Sequence, residues 1–75
     1  MNKEDLKQKI LEYGIIHYFI EFDQYLEDRG WDSRGMFMIG HRWEKGGNSI
    51  LLYNGGVMLN DEKITWNTLF ESDIL

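Results

Sequence analysis

The segment ILLYNGGVML, residues 50–59, constrains the fold of this chain more than any other part of the sequence. Two apolar runs flank the pair Asn54-Gly55. Both central residues of a type I′ turn need a positive φ, which Asn and Gly tolerate, and this turn joins antiparallel strands. The segment therefore predicts a β-hairpin.

Further breaks are marked by Gly and Asn, since the chain contains no Pro. Residues 36–43, MFMIGHRW, predict a strand in which Gly40 is a bulge or a point of close backbone approach. The segment EKGGN predicts a hairpin loop after it, and NDEK predicts a turn into a short strand around Ile64. The segment WDSRG, residues 31–35, is predicted to be a loop.

The chain is predicted to begin and end with helices. Asn2 is the expected N-cap of a helix over residues 3–29, and Gly30 is its expected stop. Apolar residues at spacings of three and four form one face of this helix: Leu11, Ile15, Tyr18, Phe19, Phe22, Tyr25 and Leu26. The alternative is a helix that ends near Tyr13, followed by a strand at residues 15–22. Thr65 is the expected N-cap of a short closing helix with an apolar face of Trp66, Leu69, Phe70 and Ile74.

These elements predict the α+β class in the order α-β-β-β-α. A long N-terminal helix packs on a small antiparallel three-stranded β-meander, and a short C-terminal helix closes the domain. The 75 residues are expected to form a single domain.

Composition excludes several functional classes. The chain has no Cys, which rules out disulfides and thiolate zinc sites. It lacks an apolar run of membrane-spanning length, and charged residues stand near its start where a signal peptide would be apolar, so we expect a cytoplasmic protein with no membrane association. The net charge of −5 disfavours nucleic acid as a partner.

The run GIIHYFIEF, residues 14–22, predicts an interaction surface. On one continuous helix, Leu6, Ile10, Tyr13, Ile16 and Ile20 would form a second apolar stripe, opposite the first. A three-stranded sheet and one short helix would cover one side of such a helix. The second side would then remain for another chain, unless the closing helix and the loop at Trp31 bury it within the monomer.

The expected function is therefore that of a small acidic, non-enzymatic protein–protein interaction module that binds and inhibits or regulates a larger protein. Its partner is another protein, either foreign or a second copy. With a second copy as the partner, the chain would be a homodimeric structural or accessory protein. In size, acidity and lack of Cys the chain is similar to many small phage and mobile-element proteins that inhibit host enzymes, a likeness of class. The predicted partner-binding residues are Tyr13, Ile16, His17, Ile20, Asp23, Glu27 and Asp28.

An alternative function is nucleic-acid binding by a basic aromatic hairpin, in which rings stack on bases and cations contact phosphates. Its residues would be Trp31, Arg34, His41, Arg42, Trp43 and Lys45. Since strand residues alternate between faces, Arg42 would lie opposite His41 and Trp43.

Catalytic and metal sites have little support in the sequence. His17 and Glu21, four residues apart, would share a helix face, but two groups do not complete a metal site. No serine lies in a nucleophile motif. We therefore expect no catalytic residues, no cofactor and no metal.

Overall fold

Helices cover one face of a five-stranded antiparallel sheet in the computed structural model, which describes residues 1–37 and 40–75. The helices are α1 (Lys3–Tyr13), a 3₁₀ turn (Ile15–His17), α2 (Phe19–Asp28) and α3 (Trp66–Glu71). The strands are β1 (Asp32–Phe37), β2 (Gly40–Lys45), β3 (Asn48–Tyr53), β4 (Gly56–Leu59) and β5 (Glu62–Ile64). The predicted α+β class, with a β-meander between helices, is confirmed at this level.

The sheet follows the order β1-β2-β3-β4-β5, so that strands adjacent in the chain are adjacent in space. Each consecutive pair of strands from β2 to β5 is joined by a two-residue turn. The turns are Gly46-Gly47, Asn54-Gly55 and Asn60-Asp61, and all six residues have a positive φ. This is the backbone that type I′ hairpins require. The predicted hairpin at Asn54-Gly55 and the predicted turns at EKGGN and NDEK are therefore confirmed.

The prediction of three strands was wrong. The segment WDSRG, predicted as a loop, contributes most of β1, because Gly35 at φ 82° accommodates a register shift between Ser33 and Met36. The predicted strand at residues 36–43 is divided between β1 and β2, and residues 38 and 39 lie outside the described residues. Gly40 is a point of close approach, as predicted, since a Cβ there would overlap the carbonyl oxygen of Leu52.

The prediction of one helix over residues 3–29 was also wrong. The chain breaks at Gly14, whose φ of 92° and ψ of 150° lie far from helical values. The alternative prediction located the end of α1 at Tyr13 correctly, but residues 15–22 form a 3₁₀ turn and the start of α2 instead of a strand.

The predicted caps are confirmed. The Asn2 side chain accepts a hydrogen bond of 2.8 Å from the Asp5 amide, and the Thr65 hydroxyl accepts one of 3.0 Å from the Thr68 amide. Gly30, at φ 91°, follows the end of α2, and the amide of Trp31 donates a hydrogen bond of 3.0 Å to the Leu26 carbonyl. These bonds satisfy helix ends that otherwise lack partners.

The core lies between the helices and one face of the sheet. Register aligns Trp43 with Ile50 and Leu59 across this face. Phe22 of α2 meets the Trp43 ring edge-on at a centroid distance of 5.3 Å, and meets the Trp66 ring in the same way. The opposite face aligns Arg42, Leu51, Met58 and Lys63. In the described part of the chain, no helix has the length and apolar character needed to cross a membrane.

Candidate protein-binding surface

Four exposed side chains cluster around the break between α1 and α2, and we call them the junction surface: Tyr13, Ile16, His17 and Ile20. Ile16 is 83% exposed, Ile20 is 77% exposed and Tyr13 is 51% exposed. Since a folded chain gains free energy by burying such side chains, their exposure is the most informative surface feature of this molecule.

The break at Gly14 explains why these residues are exposed. On a continuous helix, Leu6 and Ile10 would share a stripe with Ile16 and Ile20, but Leu6 and Ile10 are 1% and 2% exposed. Because the chain leaves helical geometry at Gly14, the residues after it no longer keep the rotational phase of α1. The second apolar stripe is thus divided: its α1 part is in the core and its later part is in solvent.

Local contacts order the α1 side of the junction surface. The Tyr13 ring lies 6.2 Å from the Tyr18 ring, between centroids, and the Lys9 ammonium lies 5.4 Å from the Tyr13 centroid. Next to the exposed Ile16, Ile15 is buried in the core. The amide of Tyr18 bonds to the Ile15 carbonyl at 2.9 Å, which closes the turn and holds Ile16 outward.

Carboxylates without cationic partners continue this surface along α2. Glu21, Glu27 and Asp28 are exposed. In residues 1–37 and 40–75, the ion pairs join Lys7 to Glu4, Arg34 to Glu44 and Arg42 to Asp61, so that none involves α2. Arg29 follows the last residue of α2, and its guanidinium carbon Cζ lies 3.5 Å from the centre of the Tyr25 ring. The carboxylates of α2 therefore have no ion-pair partner within the described fold.

Asp23 differs from the other predicted partner-binding carboxylates. It is half-buried, and its Oδ1 accepts a hydrogen bond of 2.8 Å from the indole Nε1 of Trp43. This bond connects α2 to β2. The sequence carries no sign of this bond, because the two residues are 20 positions apart.

The basic aromatic hairpin does not form a stacking platform in this structure. Trp31 and Trp43 are 2% and 0% exposed, so neither ring can stack on a base. Arg34 pairs with Glu44 at 3.1 Å, and Arg42 lies 3.9 Å from Asp61. The structure thus pairs both arginines with carboxylates of their own sheet.

A shallow cleft lies at the end of the hairpin formed by β2 and β3. It has a volume of about 380 Å³, and its lining includes Arg34, Arg42, Lys45, Asp32 and Glu44. Because both cations and carboxylates line it, the cleft has no clear charge preference for a ligand.

His41, the remaining hairpin candidate, bonds to a serine that sequence analysis had not paired with it. Its Nε2 lies 2.7 Å from the Ser33 Oγ, and its ring packs on Trp43 and Phe19 at centroid distances of 4.4 and 5.2 Å. To activate Ser33 as a nucleophile, Nε2 must accept the proton, and Nδ1 must then carry one. Nδ1 is buried with no hydrogen-bond partner in the described chain, so the triad's orienting carboxylate is missing.

No group of three or more His, Cys, Asp or Glu residues that could hold a metal ion occurs within the described ranges. His17 and Glu21 are both exposed and have no third ligand beside them in that set. The expectation that His17 and Glu21 do not form a metal site stays a prediction.

No protein family, no curated protein and no solved structure matches this chain.

Proposed function

We propose that this protein is a small, non-enzymatic binding module that docks through the junction surface onto a larger protein and regulates or inhibits it by occupying the contact site. The observation that carries the proposal is the exposure of Ile16 and Ile20, 83% and 77%, at the centre of a surface continued by carboxylates. The contact is formed by Tyr13, Ile16, His17 and Ile20, with Glu27 and Asp28 at its edge.

The energetics of burial support this role. Full burial of one Ile side chain contributes roughly 1.5–3 kcal/mol, so two of them supply a substantial part of a micromolar affinity, which corresponds to about 8 kcal/mol. Tyr is also among the residues enriched at the energetic centres of protein interfaces. Ile16 and Ile20 are four residues apart, so even a fully extended chain would separate their Cα atoms by no more than about 14 Å. One partner pocket can therefore contact both.

Charge defines the chemistry of the partner. The unpaired carboxylates of α2 favour an apolar pocket that is bordered by Lys or Arg side chains. A second copy of this chain carries the same net charge of −5, which opposes self-association at long range. A foreign basic protein fits this surface better than a second copy does.

The proposal is tested with the double variant Ile16→Glu/Ile20→Glu and a control variant of equal charge change, Lys63→Glu. Lys63 is exposed and is aligned with Met58 on the sheet face opposite the helices. Proteins from the source cell that wild type captures are identified, and the affinity of each purified candidate is then measured for all three proteins by titration calorimetry. We expect the double variant to lose at least about 100-fold in affinity and the control to stay within about threefold.

Light scattering on a sizing column accompanies this measurement. We expect a monomer of 9.0 kDa for both wild type and the double variant, with equal unfolding temperatures. A wild-type dimer that the double variant abolishes would show that the surface binds a second copy. Equal affinity of the double variant and wild type for every captured partner would refute the proposal.

A further inference from the structure

We infer that Asp23 is a positioning residue, which fixes the orientation of α2 through Trp43, and that it does not contact the partner directly. Asp23 Oδ1 accepts the Trp43 Nε1 hydrogen at 2.8 Å, and the Trp43 ring is 0% exposed. The inference rests on the proposed function in one respect: the side chains whose orientation is fixed are those of the proposed contact.

The hydrogen bond joins a carboxylate to a donor that water cannot reach. Without Asp23, the buried indole N–H of Trp43 would have no hydrogen-bond partner in the described chain. An unsatisfied donor in the core lowers the free energy of unfolding. Trp31 provides the internal comparison, since its Nε1 is buried and has no partner among residues 1–37 and 40–75. Of these two buried indoles, Trp43 has an acceptor in the described chain, which Asp23 supplies, and Trp31 has none.

The position of this bond on α2 determines what it orients. Phe19 and Phe22 contact the Trp43 ring at centroid distances of 6.0 and 5.3 Å, so they and Asp23 hold one side of α2 against β2. At about 100° per residue, Ile20 and Glu27 lie about 20° apart on the adjacent side, with Gln24 between them along the axis. Fixing the rotation of α2 therefore sets the direction in which the side with Ile20 and Glu27 faces.

The bond also removes Asp23 from the set of docking carboxylates. Its oxygen is directed at the sheet, whereas Glu27 and Asp28 are exposed. Asp23→Asn should then be nearly silent, because an amide oxygen accepts the same hydrogen bond without the charge. A carboxylate that met a basic partner would lose affinity on the same change.

Hydrogen exchange in the free protein, followed by NMR, tests the positioning role without any partner. The variants are Asp23→Asn, which keeps the acceptor, and Asp23→Leu, which removes it, with Asp23→Ala as a second acceptor-removing variant if Asp23→Leu does not fold. We expect acceptor removal to speed exchange of the Trp43 indole and of the α2 amides by about tenfold or more relative to β3 and β4. Asp23→Asn should stay within about threefold of wild type.

Three results would overturn the inference: an Asp23→Asn protein that behaves like Asp23→Leu, a uniform loss of protection in both α2 and the sheet, or no change in either variant. With a purified partner, Asp23→Asn should bind within about twofold of wild type, while Glu27→Gln/Asp28→Asn weakens binding most at low salt. If the Ile16→Glu/Ile20→Glu protein binds normally, the proposed function fails, whereas the exchange result for Asp23 is unaffected.

Discussion

The β3–β4 hairpin and the α1–α2 junction both have a conformationally flexible residue within an apolar segment. The apolar residues beside this break are buried in the hairpin and exposed at the junction. In the hairpin, Asn54-Gly55 joins strands whose Ile50 and Val57 are 0% and 1% exposed. At the junction, Gly14 precedes Ile16 and Ile20, which are mostly in solvent.

The difference arises from what each break does to the side chains beyond it. A two-residue turn fixes the register of both strands, and the period of two then determines which residues face the core. A break between helices ends one rotational phase and begins another, so the burial of later residues depends on the backbone angles at the break. An apolar sequence predicts burial only where the local geometry preserves its phase.

The largest expected effect is on the free energy of unfolding, when a core residue between sheet and helices is truncated instead of a residue at the junction. Trp43→Ala should lower the free energy of unfolding by about 3–5 kcal/mol, because the ring is fully buried. Ile16→Ala should change it by no more than about 0.5 kcal/mol, because the side chain is 83% exposed. Urea unfolding measures both, and a loss above 2 kcal/mol for Ile16→Ala, on the order of core truncations, would mean that the junction is covered after all.

An intermediate effect concerns the two glycines at the breaks. A Cβ at either Gly14 or Gly55 meets no atom within 4 Å, so the cost of Ala is that of backbone strain at φ 92° and 78°. We expect Gly14→Ala to cost about 1–3 kcal/mol and Gly55→Ala about 1–2 kcal/mol in chemical unfolding. If Gly14→Ala were instead stabilising and raised the helical circular dichroism signal, the two helices would join when Ala permits it, and the contrast would depend on one residue.

The smallest effect lies at the exposed start of α1. A hydrogen bond from Gln8 at 3.4 Å, and next the bond and charge of Lys7 at 3.3 Å, lower the pKa of Glu4 below its ordinary value. A lowered pKa in the folded state stabilises the fold above the unfolded pKa, and this contribution is lost as the pH falls through the folded pKa. NMR titration of Glu4 should show its pKa rise toward the ordinary value in Gln8→Ala, and an unchanged pKa would assign the shift to the neighbouring lysines, Lys7 and Lys3.

Much of the fold could be predicted from local chemistry. Asn2, Thr65 and Gly30 act at helix ends through their own side chains or backbone freedom, and the three turns depend on residues that tolerate positive φ. The strand β1 was missed because Asp32 and Gly35 are residue types that strands disfavour, and Asp32 and Ser33 join the sheet by pairing with Glu44 and Trp43 of β2. The break at Gly14 was missed because one Gly inside an apolar pattern costs a helix about 1 kcal/mol, too little to decide.

The site could be predicted only in part, because burial is a property of the whole fold. Ile16 and Ile20 were selected as exposed members of a stripe, but their exposure has a different cause, since Leu6 and Ile10 of the same stripe are buried. Asp23 was grouped with Glu27 and Asp28 by its charge, although its hydrogen bond with Trp43 sets it apart. Contacts between positions distant in sequence, such as Ser33 with His41, leave no periodic signal.

The nearest-neighbour strand order has a consequence for how fast the molecule folds. Each strand pairs with the one beside it in the chain, so forming the sheet closes short loops and keeps the contact order low. The packing of α1 against α3 is different, since it brings together the two ends of the chain. Because closing a long loop costs more entropy, we expect this contact to form late in folding, and truncation of Leu6 or Leu69 to speed unfolding more than it slows folding.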